Sequence, residues 1–327
     1  MGDDVASVAS YDASGRKKGS AVTGFLRRLA REKPLGLAGA IVTLVLVLVG
    51  ICANFLAPYG MNATSLLNTL QAPSAQHLMG TDNLGRDVLS RVIYGARISM
   101  IVGLSASIIA TTLCILIGML SGYLGGKFDM IVQRFVDAWM CFPDIVLLMV
   151  IVSMMGAGLW QVIVVIGISW GISGSRVVRG AVIAIRENAY LESARATGCS
   201  KKRILCRHIL PNIMAPIIII FTTRVPNVIL MEASLSFLGF GVPPPAASWG
   251  GMLSGDARAF MFQAPWMVFW PGLALSVAVY GINMFGDAVR DLIDPRMKGG
   301  GGRYGARKSK KLKRLLEKME DAVWNPD

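Results

Sequence analysis

The sequence predicts an all-α, multi-pass membrane protein with six transmembrane helices, and three observations predict it. The 327-residue chain is 54% hydrophobic and only 16% charged, against roughly 25% charged for a typical soluble domain, and its mean hydropathy is +0.54. It contains six apolar runs close to the ~20 residues a helix needs to cross the hydrocarbon core. Its 33 Lys and Arg residues are segregated between alternate loops. The 36 glycines suit close helix packing in lipid. Such a composition argues against a soluble enzyme and excludes disorder for most of the chain.

The first run, residues 35–57, carries no charge between its ends. The polar segment before it is too long for a signal-peptide n-region, and the run itself is too long for an h-region. It is therefore expected to stay as a membrane helix. The remaining runs are residues 98–122, 131–155, 160–178, 211–230 and 266–285. On one side of the membrane the loops carry only Arg86, Arg91, Arg97 and Arg258; nearly all other cations fall on the opposite side, with Arg224 inside the fifth run. Both termini are thus expected to be cytoplasmic. Topology also accounts for the net charge of +13 and the pI near 9.8, so no nucleic-acid partner is expected. The organisation that follows is a cytoplasmic tail (1–34), a first helix (35–57), an extracytoplasmic loop (58–97) and a five-helix core (98–297) carrying a polar cytoplasmic segment (186–211). A basic tail (298–327) ends the chain. In it Leu312, Leu315, Leu316, Met319 and Val323 would form one helical stripe, either docked on the inner leaflet or a partner, or simply solvated.

Catalytic and metal chemistry find little support. Cys52, Cys114, Cys141, Cys199 and Cys206 lack CxxC spacing and read as unpaired thiols. His77 and His208 fall on opposite sides of the membrane, and neither an HExxH nor a nucleophile-elbow pattern occurs. Asp137 and Asp144 are one heptad apart, but Asp137 is expected to meet Arg134 rather than to form a carboxylate pair. The pairs Gly118/Gly122 and Gly167/Gly171 each place small residues one turn apart for helix crossing.

Two segments carry more specific signals. Residues 187–197 favour helix, with Ala194 and Ala196 giving one face a low profile. Gly198 supplies the left-handed stop, Ser200 caps the next helix, and Pro211 opens the following one. The product is a short helix–turn–helix whose small residues would let a partner's groove approach the backbone. In the fifth run Arg224 lies about halfway along, where an unpaired charge costs at least ~2.5–3.5 kcal/mol. Asn227 at i+3 and Glu232 at i+8 are able to share its face. That face either lines a translocation route or gate, or Arg224 contacts another subunit.

The segment 190–212 resembles the "EAA" coupling loop of ABC-importer permeases. The matching residues are Glu192, the small pair Ser193 and Ala194, Gly198 six positions after the glutamate, and then Leu210 and Pro211. Ser193 replaces the usual first alanine, and His208 stands where the wider family has an apolar residue. Residues 77–91 (HLMGTDNLGRDVLSR), followed by Tyr94-Gly95-Ala96-Arg97, are similar to the C-type permease subunit of oligopeptide, dipeptide and nickel importers. So is Gly286-Asp287-Ala288-Val289-Arg290-Asp291 with Asp294-Pro295-Arg296. The resemblance as a whole covers about residues 25–298 and leaves both tails outside.

The resemblance implies a permease of the bacterial-type inner membrane that pairs with a second permease. Two cytoplasmic ATPase subunits would dock on Glu192, Ser193, Ala194, Ala196, Gly198, Leu210 and Pro211, and an extracytoplasmic binding protein would deliver peptide. ATP and Mg would be bound by the ATPases and no cofactor by this chain, which has no GxxxxGK[ST] phosphate loop. The cargo stays open among dipeptide, longer peptide, nickel chelate and other solutes. A stand-alone secondary transporter or channel is the alternative; it would need its own ion-coupling residues, and intramembrane charge is sparse.

Overall fold

A bilayer offers the backbone no water, so spanning segments must satisfy their own polar groups as helices. The structure, a computed structural model, describes residues 21–293, and these are helices and loops with a single isolated bridge, Thr81 to Asp87. The helices are α1 (Ala21–Glu32), α2 (Pro34–Ile51), α3 (Ala53–Leu56), α4 (Val88–Leu124), α5 (Gly126–Met140), α6 (Asp144–Met155) and α7 (Leu159–Arg186). They continue as α8 (Ala189–Ala196), α9 (Lys201–Arg203), α10 (Leu210–Asn212), α11 (Met214–Phe237), α12 (Trp249–Met252), α13 (Asp256–Ala259) and α14 (Trp266–Ile293). The stripe in the basic tail and the Asp294-Pro295-Arg296 motif lie outside the described residues.

Five helices (α2, α4, α7, α11 and α14) are long and apolar enough to cross a membrane. The third expected span is broken instead: α5 and α6 meet at 90° across Cys141-Phe142-Pro143. Pro143 has no N–H to continue a helix, and its ring pushes Phe142 out of the helical region. Each half is too short to cross alone, and a sixth span exists only if the bent pair counts as one.

Helix α4 starts at Val88 rather than at residue 98, so the outer loop ends at Asp87. Asp87 caps it, accepting from the Ser90 N–H at 2.8 Å and the Ser90 hydroxyl at 2.7 Å. Arg91 and Arg97 interrupt the apolar run in these first turns, which are nonetheless largely buried beneath the outer loops, and hydropathy alone therefore misses them. Helix α7 likewise continues to Arg186.

The middle of the bundle is the crossing of α4 and α7. Both glycine pairs lie in it: a Cβ on Gly167 would meet Ile109 Cγ2 at 2.7 Å, and one on Gly171 would meet Leu113 Cβ at 2.6 Å. Gly122 faces Val182 in the same way, at 3.0 Å. Below the crossing, Asp129 of α5 takes two hydrogen bonds from Arg179 of α7, 2.6 Å from Nε and 2.5 Å from Nη2. Asp137 pairs with Arg176 of α7 as well as with Arg134 at 3.7 Å, so it ties two helices together rather than serving one.

Around this centre α2 packs on α14, and Arg97 of α4 closes the C-terminus of α2. Its guanidinium donates to the Gly50 carbonyl at 2.8 Å and the Ile51 carbonyl at 3.2 Å, where the helix leaves acceptors unfilled. The N-terminal segment also holds structure: Leu29 of α1 is buried against Ala288 and Leu292 of α14, and Lys33 pairs with Asp291 at 2.6 Å.

Candidate coupling surface and translocation face

The polar segment after α7 folds as a helical elbow. Helix α8 stops at Thr197, and Gly198 takes φ +77° in open space, with no atom within 4 Å of a would-be Cβ. Its glycine therefore answers a backbone requirement and not a packing one. Ser200 then caps α9, its hydroxyl accepting from the Arg203 N–H.

Between α9 and α10, residues Ile204–Ile209 widen into a π-helix. Pro211 explains the widening: in an α-helix its ring would collide with the carbonyl four residues back and leave it without a donor. Pro211 thus lies inside a helical stretch that ends at Asn212, and the spanning helix begins only at Met214. This replaces the expectation that Pro211 opens the fifth span.

One face of the elbow is apolar and buried. Leu191, Ala194, Ile204, Leu205 and Ile209 join Cys114 and Met119 of α4 and Val178 and Val182 of α7 in one cluster. On the opposite face Glu192, Ser193, Ala196, Gly198 and Pro211 are exposed. The expectation that Ala194 and Ala196 share a low-profile face is corrected. Two residues apart on a helix point some 200° apart, and Ala194 is 7% exposed while Ala196 faces outward. The low outer profile belongs to Ser193 and Ala196, and Ala194 is small because it sits against the bundle. Leu210 is half-buried. Arg195 braces the elbow from the side, donating to the Arg186 carbonyl at 3.2 Å with its guanidinium over the Tyr123 ring.

The intramembrane trio of α11 is not gathered on one face. Arg224 reaches across to α7, its Nη1 donating to the Trp170 carbonyl at 2.6 Å, and its Nη2 fills the space where a side chain on Gly174 would sit. Among the described residues no carboxylate pairs with it. Asn227 is exposed, and its amide donates to the Thr223 carbonyl at 2.7 Å. Glu232 is fully buried; its Oε1 accepts from the Ser236 hydroxyl at 2.7 Å, and its Oε2 has no partner. These three residues serve three different surroundings.

Asn227, singled out from the sequence, is the exposed member of a polar row on α11 whose other members are half-buried. Thr223, Asn227 and Ser234 lie at i, i+4 and i+11 on one side. Thr223 and Ser234 bond back to the carbonyls of Ile219 and Leu230. The helical spacing of Thr223 and Ser234 about Asn227 is present in the sequence, but small uncharged residues mark a face more weakly than Arg224 and Glu232 do. Trp170 and Gly174 left no such signal, because Arg224 meets a carbonyl there and not an acid.

The outer loops form one cap. The first is bound to the second by Asn83 to Asp256 at 2.8 Å and by the Trp266 indole N–H to the Thr81 carbonyl at 3.0 Å. Trp249, 1% exposed, donates to the Val92 carbonyl at 3.0 Å. His77 holds Asp87 at 3.0 Å, and Asp82 takes the Arg86 guanidinium at 2.6 Å.

An apolar multi-helix bundle with a helical elbow folded onto its spans is the architecture of a multi-pass membrane protein, and the comparisons with known proteins make it a transport permease. Residues 114–299, more than half of the chain, match the family described as binding-protein-dependent transport system inner membrane component. Residues 22–73 match the N-terminal TM domain of oligopeptide transport permease C. The chain belongs to the binding-protein-dependent transport system inner membrane component family and is a multi-pass inner membrane protein.

It is 40% identical over 268 residues to the dipeptide transport system permease protein of Alkalihalophilus pseudofirmus, covering 82% of this chain and 88% of that one. It is 35% identical over 268 residues to the oligopeptide transport system permease protein of Bacillus subtilis, with the same coverage. The glutathione transport system permease protein of Escherichia coli is 39% identical over 276 residues, 84% of this chain and 90% of that one. Among solved structures, a chain of the MetNI methionine ABC transporter superposes with a TM-score of 0.51 at 16% identity, over 62% of this chain and 96% of that one. That likeness is one of fold.

Proposed function

We propose that this chain is one of two permease subunits of an ATP-driven importer of short peptides, with both termini cytoplasmic. Two ATPase subunits, which bind ATP and Mg, engage the exposed face of α8 and Gly198, and an extracytoplasmic binding protein delivers cargo to the opposite side. The observation that carries the reading is the two-sided elbow. Glu192 stands outward beside the small Ser193, Ala196 and Gly198, while Leu191, Ala194, Ile204, Leu205 and Ile209 bury the other face against α4 and α7. A push on the outer face therefore reaches the spanning helices through packed apolar side chains rather than through a flexible loop.

The cargo route is assigned to the Thr223, Asn227 and Ser234 side of α11. An amide facing lipid would be costly, so that side suits an aqueous path shared with the second permease. Arg224 then acts as a brace between α11 and α7, and Glu232 as a buried anchor beneath the outer cap. Peptide cargo is supported by the relatives, whose names specify dipeptide, oligopeptide and glutathione transport. Importers of this kind work if ATP binding stabilises one permease state over the other.

Gly198→Val tests the reading. In proteoliposomes containing the complete importer the variant should still insert and assemble, hydrolyse ATP and lose peptide uptake. Uptake at the wild-type rate per ATP would remove the coupling role from the elbow.

A further inference from the structure

The outer cap holds chemistry that coupling and translocation do not use. A cavity of about 360 Å³ lies between the first outer loop and the loop joining α11 to α14, a size at which proteins bind small molecules. Two kinds of polar group meet in its wall. Arg91, whose side chain is 9% exposed, stands 3.8 Å from Asp82, but that same carboxylate oxygen is already held at 2.6 Å by Arg86. The only carbonyl Arg91 reaches among the described residues is that of Met61, at 3.3 Å. Two guanidinium groups thus share one carboxylate and leave donors and positive charge in a partly dry site.

Beside them Asn83 donates to Asp256 at 2.8 Å, while its own Oδ1 is buried without a donor. That oxygen is closed off from the cavity, and the group that offers negative charge to the cavity is the Asp256 carboxylate. Pro243, Pro244, Met252 and Met267 supply apolar wall. Ser236 lines the cavity and bonds to the buried Glu232 below.

The geometry points to a binding site for a zwitterionic amino acid or short peptide, its carboxylate on Arg91 and its ammonium on Asp256. The free donors of Arg91 then receive an acceptor, Asp256 meets the opposite charge, and side chains rest on the proline and methionine wall. The site rests on the peptide-importer reading and adds to it a place where the permease itself touches cargo, distinct from the binding protein.

The test is equilibrium binding to the full chain in lipid nanodiscs, without ATPases or binding protein. The probes are L-alanyl-L-alanine, its N-acetyl form and its C-terminal amide. The free dipeptide is expected to bind, and either block to weaken it about tenfold or more, the loss of one charge-assisted contact. Met252→Trp should fill the cavity and abolish binding while leaving the charges in place. Asp256→Asn, at an exposed position, should weaken the free dipeptide and the amide but leave the N-acetyl form unchanged, which a general loss of folding would not do. Equal affinity for all three probes overturns the site, as does no binding of the free dipeptide or undiminished binding to Met252→Trp. Because no ATPase is present, a chain that binds dipeptide yet recruits no ATPase would overturn the importer reading alone.

Discussion

The two ends of this permease use glycine and packing in opposite ways. In the outer cap Gly80 and Gly95 are sites of close approach, although Gly239 and Gly255 there stand in open space. A Cβ on Gly95 would meet the Trp249 ring at 2.7 Å, and one on Gly80 would meet Trp266 Nε1 at 2.6 Å. The cap is also laced by hydrogen bonds between distant segments, among them Asn83 to Asp256 and Trp249 to Val92. In the cytoplasmic elbow Gly198 touches nothing, and the attachment to the bundle is mainly an apolar face, with Arg195 bracing one side. Directional bonds fix the cap in one arrangement. An apolar face permits small sliding of whole helices, as a segment that passes force must.

Damage to the cap should accordingly have the largest effect on the chain itself. Trp249→Ala removes a fully buried indole and its bond to the Val92 carbonyl, and is expected to cost about 3–5 kcal/mol of stability. Thermal unfolding in detergent followed by size exclusion would show it, and an unshifted midpoint would mean the cap is not a cooperative part of the fold. Next comes the brace between α7 and α11. Gly174→Ala drives a methyl into the Arg224 guanidinium and should cost about 1–3 kcal/mol. Arg224→Ala in the same chain should recover most of that loss. A double-mutant cycle with a coupling under about 0.5 kcal/mol would contradict the contact.

The brace also shows where sequence reading reaches its limit. The apolar runs located α2, α4, α7, α11 and α14, because a bilayer imposes a length that hydropathy measures directly. They did not reveal the 90° turn at Pro143, since hydropathy averages over the very residue that breaks the helix. The small residues of the elbow were found, but pairing Ala194 with Ala196 overlooked the 100° step between successive helical residues. Arg224 was recognised as costly, yet its partner was a backbone carbonyl, a group that every residue carries and that no side-chain pattern marks.

Smaller effects are expected in the elbow. Gly198→Val places a branched side chain at φ +77° and should cost only about 1–2 kcal/mol, as strain without collision. A loss well beyond that in thermal unfolding would mean that Gly198 is packed and not free. Smallest of all is Ala196→Arg. The site is exposed, so chain stability should move by no more than about 0.5 kcal/mol, even though a large charged side chain now stands where the ATPase is proposed to sit.

That substitution supplies the decisive comparison. The wild-type chain and Ala196→Arg would each be purified from native membranes in mild detergent and the copurifying proteins weighed by mass spectrometry. Wild type is expected to bring a second permease and ATPases bearing phosphate-loop motifs, and Ala196→Arg to keep the permease and lose the ATPases. ATPases retained at the wild-type ratio by Ala196→Arg, or absent from the wild-type preparation, would contradict the assignment of the elbow as the coupling surface.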